Sequence, residues 1–588
     1  MEGGWLALTS ASLARHSASP LFYICLFAVY MLTPLAGFAS GDVIGSSYLP
    51  FALLLHHNVY LGHYILPIYG PSAYFVRPVG GHIVSAYPIG TSLTVLPLYS
   101  LFVLLGNTPT ATLVPIVAKV AAATLAVLSV YIFSMVLAAA GVRSAWVTWA
   151  SLVILAFGTE TFSISSQGLW QHTGAEFWLV ILLFFLILLR NRGTTRYTDI
   201  VAVLAGFAGG MAVLCRPPDI ILEAPLAIWL AIRNPRAVLL AALGAILPLG
   251  LMVAYNEAIF GSAVSSGYGV ANSYGGLFTF PLWLGVAGNL FSPSKGWLMY
   301  EPWLVLSIGL VVTGGWRKLA SLPLVTGIGV LSLLLLYSLF YQWPGGWVFG
   351  PRYSTDASPF MVFLGAIALD EVANSSQVRW RFIGLVSSVF LGVWSICLQF
   401  LGAYVPGGSA WNTAARPNTF SAPLWTIASS EPFYYMHALL SSFHPILVVQ
   451  SPKITIEHLQ LIDKPFIYDP GTPVERLTAG TLYHGTALIT NHSATTLPAF
   501  PARDGLGAVH FSYHVWTSHG IYIFDGVRTA LLESLPPGDS EKVYFVVDAP
   551  SKPGRYTFVF TLVQEGIAWF QSGEGEQNAF RLSLVVRH

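Results

Sequence analysis

Residues 112–143 read TLVPIVAKVAAATLAVLSVYIFSMVLAAAGVR, and from Val120 to Val142 no charged side chain interrupts them. A helix needs about 20 consecutive apolar residues to cross the hydrocarbon core of a bilayer. This stretch meets that length, and it is bounded by Lys119 on one side and Arg143 on the other. In both directions along the chain, apolar runs of similar length recur between short loops. Composition agrees: 55% of the 588 residues are hydrophobic and 9% charged, against about 25% charged in soluble domains. A polytopic α-helical membrane protein follows. The net charge of +1 gives no bias toward nucleic acid.

About eleven spans are expected: near 21–39, 112–140, 146–160, 174–190 and 200–215, a sixth ending at Arg233, one near 237–255, an eighth returning to Arg317, a ninth leaving at Tyr341, a tenth returning to the loop with Arg379, and one near 382–404. The apolar segment AYPIGTSLTVLPLYSLFVLLG, from Ala86, is broken by Pro88, Gly90 and Pro97. It reads as an in-plane or re-entrant part of a large first loop. With that reading two kinds of loop alternate. One holds Arg143, Arg190, Arg192, Arg196, Arg233, Arg236, Arg317, Lys318, Arg379 and Arg381. The other holds nearly every carboxylate, His and Gly-Pro-Trp cluster. Short basic loops face the cytoplasm, so the chemistry is expected on the outer face of the cell membrane, acting on membrane-borne substrates. The first span lacks a convincing cleavage site and reads as a retained anchor. Cys25, Cys215 and Cys397 lie in or beside apolar runs and define no disulfide framework.

The first domain is read as 1–405, followed by a connector over 406–474. From about 475, short runs (GTALITNH, AVHFSYHVWT, GIYIFDG, KVYFVVDAP, GRYTFVFTLV, RLSLVVRH) alternate with PPGDS, PSKPGR and SGEGEQ. Regular short strands between Gly/Pro turns predict a β-sandwich over 475–588. Asn491-His492-Ser493 matches a glycosylation sequon. Trp516 and Trp569 read as sandwich core, with glycan contact as the alternative.

The loops of the second kind carry the candidates. Asp42, just after the first span, is placed to act as a general base or to cap the next helix. Its loop is aromatic and polar, with His56, His57, His63, Tyr74, Arg77, His82 and Tyr87. The His spacing fits no metal-ligand pattern, so a divalent metal is not indicated and no cofactor is assigned. Trp170 and His172 follow Glu160 in the next such loop. Arg216 flanks Pro217-Pro218 and either binds phosphate or pairs with Asp219. Lys295 is a phosphate ligand or snorkels to the interface. GGWVFGPRYSTDASP places Arg352 between Pro351 and Tyr353, where a guanidinium suits bidentate phosphate recognition. Arg77, Lys119, Arg216, Lys295 and Arg352 are expected to converge on one anionic head group. No Asp-x-Asp pair occurs, which disfavours nucleotide-sugar chemistry.

The ordered series GDVIGSSYLP, SAYPIGTSLTVLPLY, VAKVAAATLAVLSVY, FGTETFSISSQGLWQHT, LCRPPDIIL, YNEAIFGSAVSSGY, LFSPSKGWLMYEPW and WPGGWVFGPRYSTD resembles the glycosyltransferase C superfamily of integral membrane sugar transferases. The likeness covers about residues 20–405. The pattern resembles the bacterial protein-mannosyltransferase-like and aminoarabinose-transferase-like members. Asp42 is followed by Val43, so a single carboxylate matches the acidic pair of many members. The resemblance implies a polyprenyl-phosphate-linked sugar donor, an acceptor that is a lipid, glycan or protein, and an inverting displacement. Asp42 would be the base, with Arg352, Lys295 and Arg216 on the phosphate. Tyr353 and His172 would line the substrate site with Arg77, His82, Tyr87, Lys119 and Trp170. The alternatives are a polyprenyl-diphosphate-dependent polymerase or ligase, and a lipid-linked glycan transporter.

Overall fold

The computed structural model describes residues 19–34, 37–70, 73–190, 196–267, 277–307, 321–404, 410–415, 422–462, 473–502, 506–571 and 578–587. The chain divides into two compact units, Met1–Pro406 and Gly407–His588.

The first unit is helical. Among the described residues, six helices are long and apolar enough to cross a membrane: Leu113–Ala140, Gln171–Arg190, Arg196–Cys215, Pro235–Phe260, Leu322–Leu339 and Val378–Tyr404. Shorter apolar helices are Pro20–Met31, Ala145–Phe157 and Leu282–Phe291. Ile220–Arg233 and Ser358–Ala373 occupy the positions of two further expected spans. The first helix stops at Met31 instead of 39, three residues before Pro34, which cannot continue a helix. The expected eighth span, between Gly296 and Arg317, begins with the short helix Trp297–Tyr300. Its remainder from 308, with Arg317 and Lys318, lies outside the described residues. The segment from Ala86 forms two short helices, Gly90–Thr94 and Leu96–Leu104. Neither reaches the length of a span.

Small residues bring helices into backbone contact, as packing in lipid favours. A Cβ on Gly206 would lie 1.7 Å from the Ala241 carbonyl oxygen, and one on Gly244 would lie 1.9 Å from that of Val203. These two glycines dock Arg196–Cys215 onto Pro235–Phe260.

The helices also separate two ends. Lys119 and Arg143 are about 36 Å apart along a helix axis at 1.5 Å per residue. Beyond the Arg143 end, Asp370 Oδ1 accepts from the backbone N–H groups of Arg143 and Ser144 at 3.0 and 2.9 Å. Arg236 binds Asp199 at 2.6 Å at the start of two other long helices. Asp42, His172, Arg216 and Arg352 gather at the opposite end.

The second unit is a sandwich of two sheets. One has three strands, in the order Ile454–Ile462, Leu482–Asn491, Ser540–Asp548. The main path of the other runs Arg476–Thr478, Ala579–Arg587, Gly554–Gln564, Val509–Thr517, Gly520–Ile523. Phe545 of the first sheet meets Phe511 and Phe560 of the second, with ring centroids 4.9 and 5.2 Å apart. Alternate side chains of both sheets thus fill one core. The sheet begins before 475: Ile454–Ile462, inside the expected connector, pairs antiparallel with Leu482–Asn491. A register shift between Glu457 and Gln460, with His458 at φ 52°, breaks the two-residue alternation there. That irregularity hides the strand from a periodicity reading. The SGEGEQ turn falls outside the described residues.

Two smaller readings concern the second unit. Asn491 is fully buried, donates to the Thr495 and Leu535 carbonyls, and accepts from Ser493 N–H. Its amide is consumed by the fold, so the sequon is structural. Trp569 packs beside His514, with centroids 4.0 Å apart, and under the Arg528 guanidinium at 4.7 Å.

Candidate active site

Ser40 caps the turn Gly41–Val43, its hydroxyl accepting from Asp42 N–H, which fixes the Asp42 backbone at the start of Ile44–His56. Asp42 Oδ1 accepts from Tyr74 and Tyr87 hydroxyls at 3.0 and 2.7 Å. Its Oδ2 accepts from Arg352 Nη1 at 2.5 Å. Burial pushes the Asp42 carboxyl up, but the Arg352 charge and the hydrogen bonds from Tyr87, Arg352 and Tyr74 together hold it below its ordinary value. The side chains of Arg352 and Asp42 keep 13% and 18% of their surface exposed, so the pair is partly open to its surroundings.

Arg352 is carried by the turn Arg352–Ala357. Gly345 and Gly346, both at positive φ, precede it. A Cβ on Gly346 would stand 3.6 Å from Arg352 Nη2, so this left-handed turn brings the backbone close to the guanidinium. The buried Nε of Arg352 has no hydrogen-bond partner among the described residues. Trp170 lies against the guanidinium at 5.5 Å.

Tyr353 separates this pair from a deeper one. The guanidinium carbons of Arg216 and Arg352 lie 5.5 and 5.4 Å from the centre of its ring. The same ring stacks on Tyr337 at 4.2 Å. Arg216 pairs with Asp356 at 2.6 Å, closer than with its sequence neighbour Asp219 at 3.7 Å. It also donates to the Tyr337 hydroxyl and, from Nη1, to His172 Nε2 at 3.1 Å. His172 Nδ1 faces both oxygens of Asp356 at 3.0 and 2.9 Å. Nδ1 therefore carries the proton, and Nε2 is the acceptor for Arg216. Burial above all, then the Asp356 charge, raises Asp219 well above the carboxylate range. Burial acts on Asp356 as well, but His172 and Arg216 bring it below its ordinary value.

Behind the Arg352 turn a second carboxyl pair is sealed from water. Glu160 accepts from Gln399 and Ser354, each at 3.0 Å, and Glu301 accepts from Ser358 at 3.2 Å. Lys295 is 1% exposed and donates to the Val348 carbonyl, bracing the loop before Arg352. Burial that complete excludes snorkelling.

The chain is similar to several solved structures. ArnT from Cupriavidus metallidurans bound to undecaprenyl phosphate matches at 13% identity over 68% of this chain and 71% of its own, with a TM-score of 0.38. The Archaeoglobus fulgidus oligosaccharyltransferase tethered with an acceptor peptide matches at 12% identity over 67% and 57%, with a TM-score of 0.35. A CARDB domain from Pyrococcus furiosus in complex with di-metal ions matches 24% of this chain and 95% of its own, at 14% identity and a TM-score of 0.14. No protein-family profile and no curated protein matches the sequence.

The five expected cations do not meet at one point. Arg352 and Arg216 flank Tyr353, and Lys295 supports the adjoining loop. Lys119 is buried on its helix and donates to Thr33 and Gln167 at 2.8 and 2.5 Å, tying three segments together. Arg77 donates to the carbonyls of Tyr74 and Val76 and braces the hairpin that carries Tyr74. His82 is exposed and stacks on Tyr60 at 3.9 Å. Among the described residues no group of three His, Cys, Asp or Glu is placed to hold a metal ion. Sequence reasoning gave Tyr337, Gln167, Gln399 and Glu176 no role. Glu176 accepts from Thr161 and Ser165 at 2.7 and 2.5 Å. An acid inside an apolar helix is itself a signal for a buried network.

Proposed function

We propose that this protein is an integral membrane glycosyltransferase that moves a sugar from a polyprenyl-phosphate donor to an acceptor on the outer face of the cell membrane. The observation that carries the reading is the Asp42–Arg352 pair: a carboxylate and a guanidinium meet at 2.5 Å, and each side chain keeps part of its surface exposed. A transfer of this kind needs both. Asp42 takes the proton from an acceptor O–H or N–H while the acceptor atom bonds to the anomeric carbon. The carbon–oxygen bond to phosphate breaks, and its electron pair stays on the phosphate. Arg352 stands where that negative charge grows, and a cation already in place lowers the barrier without reorganising. The back-side attack inverts the anomeric centre.

Arg216 lies deeper. Its field, held by Asp356 and His172, adds to that of Arg352 across the Tyr353 ring. Lys295 acts through the Arg352 loop. Outer-face chemistry rests on the charge segregation between the helix ends, with Arg143 and Arg236 about a helix length from the site.

The test uses purified full-length protein, radiolabelled polyprenyl-phosphate sugars and membrane extract as acceptor. Asp42→Asn is expected to lower kcat by about 10²-fold or more, the ordinary contribution of a general base, with donor KM little changed. Turnover of one donor, releasing polyprenyl phosphate and lost in the variant, supports the reading. Near-wild-type turnover in Asp42→Asn removes Asp42 as the base. Consumption of no donor in the panel removes the function.

A further inference from the structure

The second unit presents an apolar ledge that the proposed chemistry does not use. Helix Glu431–Ser441 packs its first turns inward: Tyr435 is 1% exposed, and Tyr434 meets Phe500 edge-on at 4.9 Å. Its last turn faces the other way. Leu439 and Leu440 are 40% and 51% exposed, and Phe443, Leu447 and Val448 beyond it are 73%, 50% and 47% exposed. This is no frayed tail. Gln564, 1% exposed, donates to the Leu447 carbonyl at 2.6 Å and accepts from Val449 N–H at 3.0 Å. The backbone is tied to the sandwich while the side chains on either side of the tie point out.

Single exposed apolar residues are ordinary, but a contiguous set on a fixed surface marks something that binds there. Charge narrows the occupant. From 422 to 450 the only Asp, Glu, Lys or Arg is Glu431, which is fully buried. A protein-binding patch ordinarily has a polar rim, whereas Phe and Leu on a charge-free face suit the boundary between lipid headgroups and acyl chains. Connectivity supplies the lipid. The last long apolar helix ends at Tyr404, and the fully buried Trp411 of the second unit follows seven residues later. Seven residues span at most about 25 Å, so this unit begins within reach of the bilayer surface.

We propose that the ledge from Leu439 to Val448 docks into the interfacial layer of the membrane and makes the β-sandwich a membrane-seated unit. The ledge lies outside the Asp42 site, so this inference stands or falls independently of the transferase reading.

The experiment uses the full chain in phosphatidylcholine–phosphatidylglycerol vesicles. The exposed Cys25 and Cys397 are replaced by Ser, and the buried Cys215 is kept. An NBD fluorophore is attached at Phe443→Cys, at Leu440→Cys or, as an aqueous reference, at Leu482→Cys, where Leu482 is 54% exposed on the three-stranded sheet. We expect the labels at 440 and 443 to be quenched by shallow doxyl lipids and shielded at least several-fold from iodide relative to 482. Iodide quenching at 443 equal to that at 482 overturns the proposal. Shielding at 443 from both quenchers overturns it too, because protein then covers the ledge. Agreement between the two independent labels guards against a local defect at either substitution.

Discussion

Asp42 accepts from Tyr74, Tyr87 and Arg352, so both of its oxygens are engaged before any substrate arrives. Among the causes that lower its pKa, the Arg352 charge is the strongest, and it works against burial. A base functions as carboxylate, so activity should fall as pH drops through a value below the usual carboxylate range. Arg352→Gln leaves burial less opposed. The acid limb of kcat/KM should then move to higher pH, and a pH profile in which the limb stays in place would refute the coupling. His172 offers a contrast. Its Nδ1 donates to Asp356 and its Nε2 accepts from Arg216, so it positions the guanidinium and has no free nitrogen for proton transfer. His172→Leu strands buried polar groups, at about 1–3 kcal/mol for each group left unsatisfied. It should lower the thermal midpoint in detergent, with His172→Gln intermediate. His172→Gln should leave the acid limb unmoved, whereas a shifted limb would give His172 a part in proton transfer.

At the scale of elements, the contact of Arg196–Cys215 with Pro235–Phe260 depends on two missing side chains. Gly206 and Gly244 each face a carbonyl of the other helix at less than van der Waals distance from where a Cβ would stand. Gly206→Leu should force the helices apart and cost about 1–3 kcal/mol, the usual range for overpacking. Thermal unfolding in detergent reads this directly, and an unchanged midpoint would mean that the contact is looser than described. Most long helices are legible in the sequence because uninterrupted apolar runs leave the backbone no alternative in lipid. The strand Ile454–Ile462 is not, because the irregularity at His458 shifts the alternation on which strand reading depends.

For the whole molecule, the separation of charge between the helix ends makes a labelling prediction. His82 is exposed near the Asp42 end, and the Arg143 side chain is 70% exposed at the other. In intact cells a membrane-impermeant maleimide should label His82→Cys, and it should label Arg143→Cys only after permeabilisation, in a background with Cys25 and Cys397 replaced. The reverse pattern would place the site on the cytoplasmic face. Apolar periodicity and the spacing of Arg and Lys determined, from sequence alone, a polytopic helical chain with a β-rich C-terminal part, and they singled out Asp42 and Arg352. Hydrophobic burial is short-ranged along the chain, so a local run of residues suffices to report it. Pairing was decided only by the tertiary structure. Asp42 and Arg352 are 310 positions apart, and His172 and Asp356 are 184 apart. Arg216 prefers Asp356 to Asp219, three residues away, because the packed helices and the Tyr337–Tyr353 stack fix where its guanidinium points. Which charges meet depends on how separate helices pack, and sequence spacing does not encode that.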